Sequence, residues 1–121
     1  MFVRSLDDGA EFVAGDDSLL REILHPDKAA LAIRYSLAHA TVLPGQTTKR
    51  HRLTTAEVYY IIQGAGTIMI DEESRPVAPG DAVYIPPGAV QSIANTGRHD
   101  LVFLCIVDPA WQPQDEEILD G

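Results

Sequence analysis

Residues 45–64 read GQTTKRHRLTTAEVYYIIQG, and residues 80–95 read GDAVYIPPGAVQSIAN. In the first stretch Gly45 is followed after five residues by His51-Arg52-Leu53, after three more by Glu57, and after six more by Gly64. In the second, Gly80 is followed after five residues by Pro86-Pro87-Gly88, after two more by Gln91, and after three more by Asn95. Between these turn residues lie runs rich in Val, Ile and Tyr, which suit a pleated, half-buried surface. Side chains alternate on extended backbone, so Glu57, Tyr59, Ile61 and Gln63 share one face. Gln91, Ile93 and Asn95 share a face of their own strand, and His51 and Leu53 point the same way. A fold that turns these faces inward gathers an imidazole, a carboxylate and a carboxamide in one place.

The pattern extends in both directions. Turn signals recur at Leu43-Pro44-Gly45, Gly64-Ala65-Gly66, Ala78-Pro79-Gly80-Asp81, Pro86-Pro87-Gly88 and Asn95-Thr96-Gly97. They separate predicted strands over 31–43, 57–63, 66–71, 82–86, 90–95 and 101–107. Many short strands with no long helix predict an all-β sandwich or barrel, one domain over 1–121. In the first strand Ile33, Tyr35, Leu37, Thr41 and Leu43 share a face with His39, and Arg34, Ser36 and Ala38 share the other. Residues 18–24 fit a short helix or a strand equally well. After Trp111 the chain turns polar and acidic, which predicts a surface tail over 109–121.

The chain has 121 residues, a formal net charge of -9, and 45% hydrophobic against 22% charged residues. This is the composition of a folded globular protein. Its acidity repels phosphate backbones and anionic lipid, so neither nucleic acid nor membrane is an expected partner. Cys105 is the single cysteine; within an apolar run it reads as a core thiol suited to a reducing compartment. No basic segment leads into an apolar stretch at the N-terminus, and a cytoplasmic location is expected.

The glycines, prolines and spacings of residues 45–95 resemble the two motifs of the cupin family. That resemblance implies a jelly-roll barrel (a double-stranded β-helix), an extended N-terminal segment over 1–30 that includes residues 18–24, and a homodimer. In the family, two histidines and a glutamate of the first motif and a histidine of the second typically hold a divalent metal. Position by position, this chain keeps His51 and Glu57. Leu53 stands at the second histidine and cannot ligate, and Gln91 stands at the third, offering a weak, neutral oxygen in place of imidazole.

His39, on the apolar face of the strand leading into the motif, is the candidate to complete a set with His51, Glu57 and Gln91 for Fe, Mn, Ni, Cu or Zn. Leu53, Tyr59, Tyr84, Ile93 and Cys105 are expected to line the same pocket. Glu57, turned inward, needs a partner or a raised pKa; paired with His51 it would make an acid–base couple without a metal. His25 and His99 are expected at the surface. Gly45, Gly64, Gly80 and Gly88 read as turn glycines and Asn95 as a backbone-bonding residue. The basic run Lys49-Arg50-His51-Arg52 reads as pairing with acidic neighbours such as Asp71, Glu72 and Glu73, or with a second subunit, in preference to steering an anionic substrate. The favoured function is a metal-dependent dioxygenase, isomerase or lyase acting on a small polar molecule, with no organic cofactor. The alternatives are a metal-free pocket for a metabolite or sugar, and a structural dimer with a filled pocket. The outer face Val58, Tyr60, Ile62 calls for cover by a strand, the N-terminal segment or another subunit.

Overall fold

A computed structural model describes residues 1–121. Eleven strands follow in chain order: β1 (Phe12–Val13), β2 (Leu19–Leu24), β3 (Ser36–Val42), β4 (His51–Leu53), β5 (Ala56–Gln63), β6 (Gly66–Ile70), β7 (Glu73–Val77), β8 (Ala82–Ile85), β9 (Gln91–Asn95), β10 (Leu101–Asp108) and β11 (Glu116–Ile118). They form two antiparallel sheets, ordered β1-β2-β3-β10-β5-β8 and β11-β4-β9-β6-β7. This is the two-sheet jelly roll expected from the motifs. No helix is long and apolar enough to cross a membrane.

Alternation along β10 sets the interior. Leu101, Phe103, Cys105 and Val107 are buried, and the residues between them are half-buried. Residues directly opposite across a ladder share a face. Cys105 lies opposite Ala38 and Tyr59, and Val107 opposite Ser36 and Glu57. Glu57 also lies opposite Ile85 on the other side. One inward row of the first sheet is therefore Ser36, Val107, Glu57, Ile85. In the second sheet, His51 lies opposite both Gln91 and Ile118, and Gln91 opposite Ile70. Phe103, Ile61, Ile85, Ile93 and Leu101 are the largest fully buried apolar side chains.

Four sequence expectations change here. The strand predicted from residue 31 begins at Ser36, because its neighbour β10 ends at Asp108, one residue past the Val107–Ser36 pair. Its inward face carries Ser36, Ala38, Ala40 and Val42, small residues that fit beside Phe103 and Cys105; the larger apolar residues and His39 lie outside. Residues 109–121 are no free tail. Glu116 to Ile118 add β11 to the edge of β4, and Glu117 and Asp120 pair with Arg52 and Arg50. The strand β7 escaped the sequence reading because Pro76 and its charges mark it as broken. Proline is tolerated there because β7 is a sheet edge. Residues 18–24, in contrast, are extended as the family resemblance implied.

The motif glycines Gly45, Gly64, Gly80 and Gly88 all have positive φ. Gly64 is the most constrained, since a Cβ there would stand 2.6 Å from the Asp100 carbonyl oxygen. Asn95 joins the sheets: its Nδ2 donates to the carbonyls of Val42 and His99, both at 2.8 Å, and its Oδ1 accepts from the Gly97 amide. Replacing Asn95 with Ala orphans these groups, and urea unfolding is expected to show a loss of about 2–3 kcal/mol.

Candidate functional site

The two inward rows meet around a cavity of about 190 Å³ lined by His51, Leu53, Glu57, Tyr59 and Cys105, with Asp16, Trp111 and Glu116 supplied by the chain's two ends. Tyr59 spans the sheets, its hydroxyl donating to Gln91 Oε1 at 2.9 Å. That bond orients the carboxamide of Gln91, which is 1% exposed and, unlike His51 and Glu57, does not line the cavity. The Tyr59 ring lies against Phe103, with centroids 4.5 Å apart.

Glu57 is 6% exposed. Its pKa is pushed up to about 8, first by burial and further by the nearby charges of Asp16 and Glu116; the neighbouring Gln91 amide offsets this in part. At neutral pH the group is predominantly a carboxylic acid. Neither Glu57 Oε1 nor Gln91 Nε2 completes a hydrogen bond of ordinary geometry. A buried polar atom with no partner costs free energy. Burial likewise pushes the Tyr59 hydroxyl and the Cys105 thiol upward, so both keep their protons.

His51 is held from outside the cavity. Its Nδ1 lies 2.9 Å from the Lys49 carbonyl, which can only accept, so Nδ1 carries a proton. Nε2 faces Asp16 Oδ2 at 3.8 Å, beyond direct hydrogen-bonding reach. The other Asp16 oxygen accepts from the Ser18 amide and hydroxyl at 3.0 and 2.7 Å. His51 is therefore set toward Asp16, and the direct His51–Glu57 pair considered from sequence does not form.

The other predicted residues divide. Leu53 is buried and lines the cavity. Ile93 is buried in the apolar core. His39 is excluded from the cavity because it lies opposite Leu104 on the outer face; burial, then Arg21, lowers its pKa. Tyr84 is 63% exposed and lies on a groove beside β7. His99 is exposed as expected, but His25 is buried, its Nε2 donating to the Trp111 carbonyl at 2.7 Å while Nδ1 accepts from the Asp27 amide. Asp16 and Glu116 were missed because each lies far from the motifs in a short, polar run. The only available hint was Trp111, a large aromatic residue in an otherwise polar end.

The basic run is neutralised, though not by Asp71, Glu72 or Glu73. Lys49 pairs with Asp17, Arg50 with Asp120 and Arg52 with Glu117. The residues do not fit the four-donor metal set of the family they resemble. Leu53 presents hydrocarbon, Gln91 Oε1 is engaged by Tyr59, His39 is outside, and no three His, Cys, Asp or Glu side chains converge closely enough to hold an ion.

Comparison with known proteins agrees with this architecture. The family model for the cupin domain matches residues 38–107. An uncharacterised protein of Methanocaldococcus jannaschii is 38% identical over 110 residues, covering 90% of this chain and 87% of the relative. The oxalate-binding protein of Thermotoga maritima is 33% identical over 90 residues, covering 74% and 69%. Among solved structures, the polyketide cyclase RemF of Streptomyces resistomycificus superposes with a TM-score of 0.81 at 17% identity, covering 100% of this chain and 87% of its own, a likeness of fold alone. With the family model spanning more than half its length, this chain belongs to the cupin family.

Proposed function

We propose that the chain is a metal-independent cupin that binds a small polar molecule between its sheets, using Glu57 as a neutral, buried acid. The observation that carries this reading is Glu57 itself: an inward, buried carboxyl without a charge partner, lining a cavity that also receives His51. A protonated carboxyl donates a hydrogen bond through its O–H and accepts through its other oxygen, so it can orient a polar ligand without a charge. With Nδ1 protonated, His51 turns Nε2 toward the Asp16 side of the cavity. Proton exchange between a bound molecule and these two groups is the chemistry such a site supports. The fold's relatives include a binding protein and an enzyme, and the pocket here suits the first role directly.

Oxalate is not the ligand that this lining favours. A dianion needs a metal or free cationic groups, and the neighbouring Lys49, Arg50 and Arg52 already have acidic partners. We also propose a homodimer, supported by the outer face of the first sheet, where Tyr60 and Ile62 remain 43% and 45% exposed beside half-buried Val58.

Elemental analysis of protein purified without chelators is expected to find far less than one equivalent of Fe, Mn, Ni, Cu or Zn. Leu53→His with Gln91→His should restore imidazoles and raise the metal content; near-stoichiometric metal in the native protein would contradict the proposal. For pH, the raised Glu57 pKa means that the folded state holds a proton which the unfolded chain releases. That contribution is complete below the unfolded value of about 4.5, declines as pH rises, and is gone above about 8. The melting temperature should therefore fall between these limits, and Glu57→Gln should flatten the fall. Sedimentation should show a dimer at micromolar concentration that Tyr60→Glu with Ile62→Glu converts to a monomer; a native monomer would remove the dimer from the account.

A further inference from the structure

The ligand's charge can be read from the cavity wall. Four carboxyl groups line it, those of Asp16, Glu22, Glu57 and Glu116, against Lys28 and His51. Neither basic group is free for an anion: Lys28 is bonded to Glu22, and His51 Nε2 faces Asp16. The clustered acids alone would be an ordinary solvated feature, but here an independent observation points to a ligand. Glu57, 6% exposed, lines the same cavity with a carboxyl group whose Oε1 completes no hydrogen bond of ordinary geometry.

The remaining wall is apolar and aromatic. Trp111, Tyr59 and Phe103 line it, and Glu116 Oε2 accepts from Trp111 Nε1 at 3.2 Å. Glu116 is also held under the N-terminal turn, where a Cβ at Gly15 would come within 2.9 Å of its other oxygen. Aromatic faces beside carboxylates attract an organic cation twice, through the ring quadrupole and through charge. A carboxylate placed here would lose its hydration beside the like charges of Asp16 and Glu116, with no unpaired cationic group to offset them.

We propose that this pocket takes a small organic ammonium ion on an apolar body, held by the charges of Asp16 and Glu116 and by the carboxyl group of Glu57. The proposal rests on the small-molecule reading above and names its ligand class. At a share of about 30 Å³ per water, the 190 Å³ cavity has room for about six waters, and so for a ligand of about six to ten non-hydrogen atoms. An ammonium brings three donors and no acceptor, which suits a wall carrying four carboxyl groups.

Trp111 is the only tryptophan, so its fluorescence reports on the wall itself. The test titrates the full chain with three shape-matched probes, cyclohexylammonium, cyclohexanol and cyclohexanecarboxylate, by fluorescence and calorimetry. Cyclohexylammonium is expected to bind saturably, about tenfold or more tighter than cyclohexanol, with no binding of the carboxylate up to about 10 mM. Asp16→Asn and Glu116→Gln keep the acceptor oxygens but remove the charges. Each should weaken the ammonium about tenfold, with circular dichroism confirming that at least one variant keeps its fold. Equal or tighter binding of the alcohol or the carboxylate would overturn the ligand class while leaving the pocket reading intact. Ammonium binding unchanged in the folded variants would place the cation elsewhere on this acidic chain and overturn the assignment. No response to any probe would overturn both the assignment and the pocket reading.

Discussion

The interior is organised around a carboxyl group that has no charge partner. The ladder through Val107, Glu57 and Ile85 fixes Glu57 inward, and a one-residue slip would turn every inward side chain of β5 to the outside. Tyr59, two residues on, reaches the opposite sheet and holds Gln91. Burial then raises the affinity of Glu57 for its proton, and the site inherits a neutral acid in place of an anionic metal ligand. The Leu53 side chain supports the same outcome by making the adjoining wall apolar.

The chain's two ends complete what the motifs begin. Asp16 and Ser18 come from the segment before β2, and Trp111 and Glu116 from the segment that carries β11, so residues far apart in sequence share one wall. The pairs Lys49–Asp17, Arg50–Asp120 and Arg52–Glu117 tie these ends to the first motif. As exposed ion pairs they add little stability individually. Their larger consequence is electrostatic, since they neutralise the basic run and leave the cavity to its acids.

Much of this was legible in the sequence because its signals are local. The period-two runs at 57–63, 90–95 and 101–107 fall on β5, β9 and β10, and the spacing of glycines and prolines places His51, Glu57 and Gln91 on facing rows. His39 was misread for a physical reason: β3 puts small residues inside and large apolar residues on a half-buried outer face, reversing the usual sign of alternation. Asp16 and Glu116 were illegible because their place depends on long-range pairing of short polar segments, which no local period announces.

The chemistry of this site depends on Glu57 being uncharged at neutral pH. Its side-chain carboxyl carbon can be followed by ¹³C NMR across a titration, with Glu57→Gln identifying the signal. The structure predicts a midpoint near 8, set by burial between the sheets. A midpoint near 4.5, the ordinary carboxylate value, would mean that the group is solvated or paired. The neutral-acid pocket would then be contradicted.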